Sequence, residues 1–281
     1  VLPAMIVLIL CYWLWVLVAI ILTVGAYRLT TKVAEAPLLD VALSVMTWIP
    51  WVVALATTGW TGFFACVIGQ FLALQSFVLI HEAVNPKPCG SIRRTLDRFV
   101  GPVRNHLGLW LTIPALPIFL AIRAGEVVVY PGLVAVLGFP KYRQAEWVNV
   151  SRQKFSGLVG HDLVWCLYCD WMTGVYSLGA ELLRNVESFW CPIRFYPGKK
   201  CENCRATFPD LDKWVPANGT MKDVEKALDA HYSPEAGTSR AWWGHPEREG
   251  EKPKETTGNA AEIGAERLLN ERNGVPIDRL L

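Results

Sequence analysis

The sequence predicts an all-α integral membrane protein with about five to six membrane or membrane-buried helices, a cytoplasmic Cys-rich cap and a largely irregular C-terminal tail. Three observations predict this class. The 281 residues are 52% apolar and include 13 Trp, a composition outside the usual soluble range. The apolar residues concentrate in the first two thirds of the chain. Five cysteines then follow within 39 residues, and a polar tail begins near Pro197, within this cysteine cluster.

The composition divides the chain into three predicted domains. Residues 1–140 form a transmembrane helical domain, residues 141–215 a Cys-rich membrane-proximal cap, and residues 216–281 a polar tail with short helices. The net charge is +2, and the charged residues lie in the loops and the tail. This distribution does not indicate nucleic-acid binding. The predicted surroundings are the lipid bilayer and other membrane-protein subunits.

The first helices follow from apolar runs that are long enough to cross a bilayer. Residues 3–26 are apolar, and about 20 such residues cross a hydrocarbon core of about 30 Å. No basic leader precedes them, so a retained span is predicted rather than a cleaved signal. Two further spans are predicted at residues 38–57 and 62–80. Trp48 and Trp60 lie in or beside them, where indole rings often meet the lipid headgroups.

The loop at residues 86–106 sets the predicted topology. It carries five Lys and Arg residues, and the positive-inside rule places such a loop in the cytoplasm. Counting back along the spans places the loop with Arg28 and Lys32 on the same side. The membrane is therefore expected to be a bacterial inner membrane with the C-terminal region in the cytoplasm.

Two later segments leave alternatives open. Residues 107–139 contain Arg123 and Glu126, which predict the polar turn of a tight helical hairpin. The alternative is one long, kinked helix, which would bury two charges at mid-membrane at about 2.5–3.5 kcal/mol each. Residues 157–183 are apolar but interrupted by acidic residues, which predicts an amphipathic or protein-buried helix. If that segment crosses the membrane, the tail lies on the other side.

The cysteine cluster predicts a metal site in the cap. In a reducing cytoplasm, two C-x2-C pairs separated by 31 residues suit tetrahedral coordination by four thiolates. The expected cofactor is zinc, or a single iron held by four cysteines, and di-iron is not expected. A redox disulfide and the absence of any shared site are the alternatives. The candidate ligands are Cys166, Cys169, Cys201 and Cys204, with Cys191 as a replacement for one of them.

Four other polar residues form a possible secondary site. His81 and Glu82 end the third span, and His161 and Asp162 begin the segment that follows the cap's basic loop. Histidine and carboxylate side chains bind transition metals. The alternative is that the first pair ends a helix at the membrane interface and the second pair caps a helix or forms hydrogen bonds within the cap.

Two motifs resemble the histidine boxes of membrane alkane monooxygenases and the related fatty-acid desaturases and hydroxylases. His81-Glu82-Ala-Val-Asn85-Pro-Lys87 resembles the box HExxHK, with Asn85 in place of the second histidine. Residues 182–196 are similar to the family's last box. Five of them match that box, namely Leu182, Arg184, Pro192, Arg194 and Tyr196.

The expected histidines of the last box are replaced by Asn185, Ser188 and Phe189. A poorer middle box near Glu146–Arg152 also has no histidine. The resemblance implies membrane helices under a cytoplasmic cap from which the di-iron site has been lost. No oxygenase residue is carried over to this chain.

These observations predict an accessory or structural subunit of a membrane redox complex, with a Cys-bound metal stabilising its cap. The tail pair Trp242-Trp243 is expected to anchor to the cap or to a partner subunit. The alternative is a membrane oxidoreductase, either desaturase-like with an altered metal site or a quinone-linked thiol-disulfide enzyme. Earlier in the tail, Thr220 and Asp223 predict a capping box that opens a helix at residues 221–231.

Overall fold

A computed structural model describes residues 2–85, 90–155, 157–194 and 214–232. Within these ranges the chain is helical, with loops, isolated bridges and no β-strand. The predicted ligands Cys201 and Cys204 and the pair Trp242-Trp243 lie outside the described residues. The chain separates into two compact units. Unit 1 comprises Val1–Gly132 with Lys141–Leu182, and unit 2 comprises Leu133–Pro140 with Leu183–Leu281.

The helices are numbered in chain order. Those of the N-terminal half are α1 Leu2–Leu29, α2 Leu38–Met46, α3 Trp48–Val84, α4 Ile92–Val100 and α5 Pro102–Trp110. Those that follow are α6 Leu116–Ala124, α7 Tyr130–Leu137, α8 Gln144–Trp147, α9 His161–Trp190 and α10 Met221–Tyr232. A π-helical turn, Gly125–Val129, joins α6 to α7.

Three apolar helical stretches among the described residues are long enough to cross a membrane. They are Leu2–Tyr27, Leu38–Val84 and Pro102–Leu137. Apolar side chains such as Leu10, Leu14 and Leu22 remain exposed along the first of them, as expected for contact with lipid. The all-helical membrane class predicted from the sequence is therefore confirmed in outline.

The second stretch reverses direction at Gly59. Gln70 Nε2 donates to the carbonyl oxygens of Met46 and Thr47, both at 2.9 Å. A straight helix would separate Met46 from Gln70 by about 36 Å at 1.5 Å per residue, so the chain must fold back between them. Gly59 has φ +64° and ψ −151°, a backbone conformation that essentially only glycine adopts. This reversal lies in the predicted gap between residues 57 and 62.

Helix α1 packs against the returning part of α3. Gly69 permits the approach, since a Cβ there would lie 2.9 Å from the backbone of Ile9 and of Trp13. Further along, Trp13 Nε1 donates to Ser76 Oγ at 3.0 Å, and Leu17 shares a buried cluster with Phe77. Later residues of α1 meet later residues of α3, so the two helices run parallel and end on the same side.

Helix α9 lies across that same end of the bundle. Its first residue contacts the end of α3, because the His161 N–H donates to Glu82 Oε1 at 3.3 Å. Its middle contacts residues 147–152, with Asp170 Oδ2 accepting from the Ser151 N–H at 2.7 Å. Residues 148–150 form backbone hydrogen bonds with residues 34–36, between α1 and α2.

The hairpin predicted around Arg123 and Glu126 is wrong. The backbone stays helical from Leu116 to Leu137, and residues 125–129 form the π turn instead of a loop. Ring contacts pair Trp110 with Trp165 and then Phe119 with Trp171, so this stretch runs alongside α9 in the same direction. The sequence interpretation failed because it required the two charges to reach water, whereas both are buried by protein.

Unit 2 contains a short paired segment and α10. Residues Ile193 and Val215 form a parallel bridge, and Arg194 Nε donates to the carbonyl oxygen of Trp214 at 3.0 Å. The predicted capping box is confirmed, since Asp223 Oδ2 accepts from both the N–H and the hydroxyl of Thr220 at 2.7 Å. These bonds lower the pKa of Asp223.

Candidate functional site

An apolar cavity of about 530 Å³ lies within unit 1, beneath α9 and the α5–α6 segment. Its volume is within the range of small-molecule pockets, which is about 300–1,000 Å³. Helices α1, α2 and α3 form the floor and sides. Representative lining residues are Val16, Leu43, Phe71, Leu116 and Leu163.

Most of the polar groups around this cavity are already engaged by the protein. Thr23 and Thr47 donate to carbonyl oxygens of their own helices at 2.8 and 2.6 Å. Gln70 accepts from Trp51 Nε1 at 2.7 Å as well as donating to the backbone, and Tyr168 donates to the carbonyl oxygen of Thr112 at 3.1 Å. Because these groups are paired, the wall presents mainly hydrocarbon surface to a ligand.

Trp171 is an exception among the lining residues. Its side chain is buried, and its indole Nε1–H has no acceptor among the described residues. A buried donor without an acceptor costs about 1–3 kcal/mol.

Two matched histidine–tryptophan pairs stand at one end of the cavity. On α5, Trp110 Nε1 donates to His106 Nε2 at 3.0 Å, and on α9, Trp165 Nε1 donates to His161 Nε2 at 3.0 Å. The two imidazole rings stack with centroids 6.1 Å apart, and the two indoles meet edge to face at 5.8 Å. Both tryptophans line the cavity. The accepting Nε2 atoms require imidazoles with the proton on Nδ1 in the neutral state.

The environment of His161 favours this neutral state. Burial lowers the pKa of His161, and the nearby charge of Arg93 lowers it further, against smaller opposing effects of Asp162 and Glu82. Protonation of Nε2 would remove the lone pair that accepts from Trp165. The pair therefore holds its geometry at neutral pH.

The structure brings the predicted secondary site together, but its groups serve the backbone. His81 Nδ1 accepts from the Gly160 N–H at 3.1 Å, and Glu82 accepts from His161. Gly160 has φ +53°, and a Cβ there would overlap the Glu82 side chain, so glycine permits this approach. The two carboxylate oxygens of Asp162 accept from the N–H groups of Ile92 and Arg93 at 2.9 Å, which caps α4.

The described residues contain no group of three or more His, Cys, Asp or Glu side chains that could hold a metal ion. Ligation by His106 or His161 through Nε2 would require breaking a hydrogen bond from an indole. The secondary set therefore fits a structural role better than metal coordination.

Three of the five candidate cysteines fall within the described ranges. Cys166 is half-buried and Cys169 exposed, one turn apart on α9, and Cys191 is exposed just after that helix. Burial raises the pKa of the Cys166 thiol, with Arg152 acting in the opposite direction. The four-cysteine site stays a prediction, since its other pair lies outside the described ranges.

The residues that resemble the last histidine box are divided among several places. Leu182 belongs to unit 1, Arg184, Pro192 and Arg194 belong to unit 2, and Tyr196 lies outside the described residues. Arg184, Asn185 and Ser188 are buried on α9, and Arg194 bonds the segment around Trp214. Packing of α9 explains why polar residues of this motif are buried at positions 184, 185 and 188. Whether the resemblance reflects a shared family stays a prediction.

A second polar site, the Arg123 network, lies elsewhere in unit 1. Arg123 makes a bidentate pair with Asp40 of α2 at 2.9 and 2.6 Å, and donates to Glu126 Oε2 at 2.7 Å and to Gln144 Oε1 at 2.8 Å. The exposed fractions of Arg123 and Glu126 are 5% and 3%. The network ties α2, α6 and α8 together.

Sequence reasoning missed three functional candidates, His106, Asp40 and Gln144. His106 carried a usable signal, because His-x3-Trp occurs twice, at His106–Trp110 and again at His161–Trp165. The spacing places each indole one helical turn from its imidazole. Asp40 and Gln144 carried no such signal, since their partner Arg123 is remote in sequence.

The sequence matches no family model, no curated protein and no solved structure.

Proposed function

We propose that this chain is a membrane protein that binds a lipid-like molecule in the cavity of unit 1. The observation that carries the proposal is the cavity wall, on which most polar groups are paired within the protein. Such a wall favours a hydrocarbon chain, because burying each CH₂ group is worth about 0.8 kcal/mol and few polar wall groups lose water.

The test is native mass spectrometry of the purified chain with methyl palmitate and with hexadecane as probes. Leu74→Trp fills the cavity and is expected to weaken binding of both probes about tenfold or more. Ile118→Trp is the control, since Ile118 is exposed and does not line the cavity. Unchanged binding in Leu74→Trp would contradict the proposal.

A second candidate function is the accessory subunit of a membrane complex. One observation supports it. Helix α9 is not one of the candidate spans, yet it exposes Tyr176, Leu183 and Trp190 by 65%, 54% and 55%. Lipid does not account for apolar side chains outside the spans, so a protein partner is favoured. In this role, five to six membrane-associated helices, a cytoplasmic cap and the Trp242-Trp243 tail would contact neighbouring subunits.

The metal predicted for the cap is tested separately. Elemental analysis of the purified protein should find about one zinc per chain if the four cysteines form a structural site. The double variant Cys201→Ser with Cys204→Ser should lose it. Iron with visible absorption would favour the oxidoreductase alternative, and no metal would remove the metal-site prediction.

A further inference from the structure

The Arg123 network contains one more acidic group than basic groups. Asp40 and Glu126 both bond Arg123, and Gln144, the fourth member, is neutral. With both carboxyl groups ionised, the network would carry a net charge of −1. Glu126 and Arg123 are almost completely buried, with side-chain exposures of 2% and 6%. An uncompensated charge in such a place is strongly destabilising.

Of the two carboxyl groups, Glu126 makes fewer hydrogen bonds to Arg123 than Asp40 does. Asp40 places both oxygens on the guanidinium. Glu126 places only Oε2 there. Its Oε1 is buried and accepts no hydrogen bond of good geometry among the described residues, and only the Gly179 backbone lies close enough to interact with Glu126 weakly. An ionised carboxylate with a bare oxygen costs more than a neutral acid in the same place.

Among the residues that the structure describes, Arg123 is the one positive charge that acts on Glu126. Arg123 is on its own helical stretch, and Asp40 faces it from α2. Helix α9 contributes the backbone of Gly179, and two residues later Glu181 accepts from the Tyr142 hydroxyl at 3.0 Å. The π-helical turn that carries Glu126 is a second indication, since such turns frequently mark functional sites.

We infer that the Arg123 network is a proton-binding site, in which Glu126 takes up one proton and forms a neutral carboxylic acid beside the Asp40–Arg123 pair. The proton comes from bulk water and adds to the carboxylate, so the site changes charge from −1 to 0. Uptake or release of this proton would couple unit 1 to pH. The inference does not depend on the lipid proposal.

The first test is thermal unfolding of the full chain in lipid nanodiscs at pH 7. Glu126→Gln reproduces the shape and charge of the neutral acid, so Tm should fall by less than about 4 °C. A larger fall would show that an ionised Glu126 supports Arg123 and would overturn the inference. Glu146→Gln is the matched control, since Arg143 and Glu146 have the same spacing but are exposed.

The second test is infrared spectroscopy of the same samples, and it holds even if a variant is less stable. The spectrum of wild type minus that of Glu126→Gln should show the carbonyl band of a protonated carboxyl group at pH 7. The corresponding difference for Glu146→Gln should lack it. The absence of this band from the Glu126→Gln difference would overturn the inference.

Discussion

Two segments of unit 1 contain the same short motif in opposite surroundings. Arg123–Glu126 and Arg143–Glu146 are both Arg-x-x-Glu, and in both the arginine Nη1 bonds the glutamate three residues later, at 2.7 and 3.1 Å. The first pair has side-chain exposures of 6% and 2%, and the second has 85% and 62%. In both segments the contact joins residues that are close in sequence. Its contribution to stability, however, depends on how far the rest of the protein buries it.

The difference shows that a helical ion pair takes its importance from what covers it. At the exposed pair, water screens the charges and the expected contribution is about 0.2–0.5 kcal/mol. At the buried pair, water cannot replace either side chain as a partner if the other is removed. Backbone packing shows the opposite pattern. The backbone beside the exposed pair is tightly packed, because Gly174 of α9 lies against Trp147 and Val148.

The largest expected effect tests the charges. Arg123→Met leaves the half-buried Asp40 and the buried Glu126 carboxyl groups without their guanidinium, and should lower the free energy of unfolding by about 3–5 kcal/mol. Equilibrium unfolding in detergent measures it. Arg143→Met is the control and should change stability by about 0.5 kcal/mol or less. Equal losses of stability in the two variants would contradict the conclusion that burial determines how much the ion pair contributes.

The next effect tests the backbones. In Gly174→Ala the new Cβ would overlap the carbonyl oxygen of Trp147, so α9 or the 147–148 segment must shift, at a cost of about 1–3 kcal/mol. Gly125→Ala is the matched control beside the buried pair. Its Cβ would meet nothing within 4 Å, and alanine favours helix, so stability should be unchanged or slightly higher. The same unfolding measurement decides between these outcomes.

The smallest expected effect concerns His161, a buried imidazole whose environment favours the neutral form. The pKa of His161 is lowered in the folded protein, first by burial and then by Arg93 and His106, while Asp162 and Glu82 act in the opposite direction. The unfolded chain then binds the proton more readily, so stability should fall as pH drops below the ordinary value of about 6.5. A pH series of Tm measures it, and His161→Gln should flatten the slope. A slope unchanged in this variant would assign the effect to other groups.

The same contrast between local and remote contacts shows which parts of the candidate site could be predicted from the sequence. Sequence reasoning named His81, Glu82, His161 and Asp162 as one set, and the structure brings all four together. It could not assign their partners, because the donors are backbone N–H groups of Gly160 and Ile92. A residue type indicates chemical capacity, whereas the use of that capacity depends on which donor the fold delivers.

The sequence by itself determined the class of the protein, because long apolar runs have few alternatives to helices in a bilayer. It also located the reversal near Gly59 and the capping box at Thr220, both of which depend on neighbouring residues only. The tertiary structure alone decided that Arg123 is buried with Asp40, 83 positions away in the sequence. It alone placed the two His–Trp pairs side by side. Burial and pairing depend on contacts between remote segments, and local sequence carries little information about them.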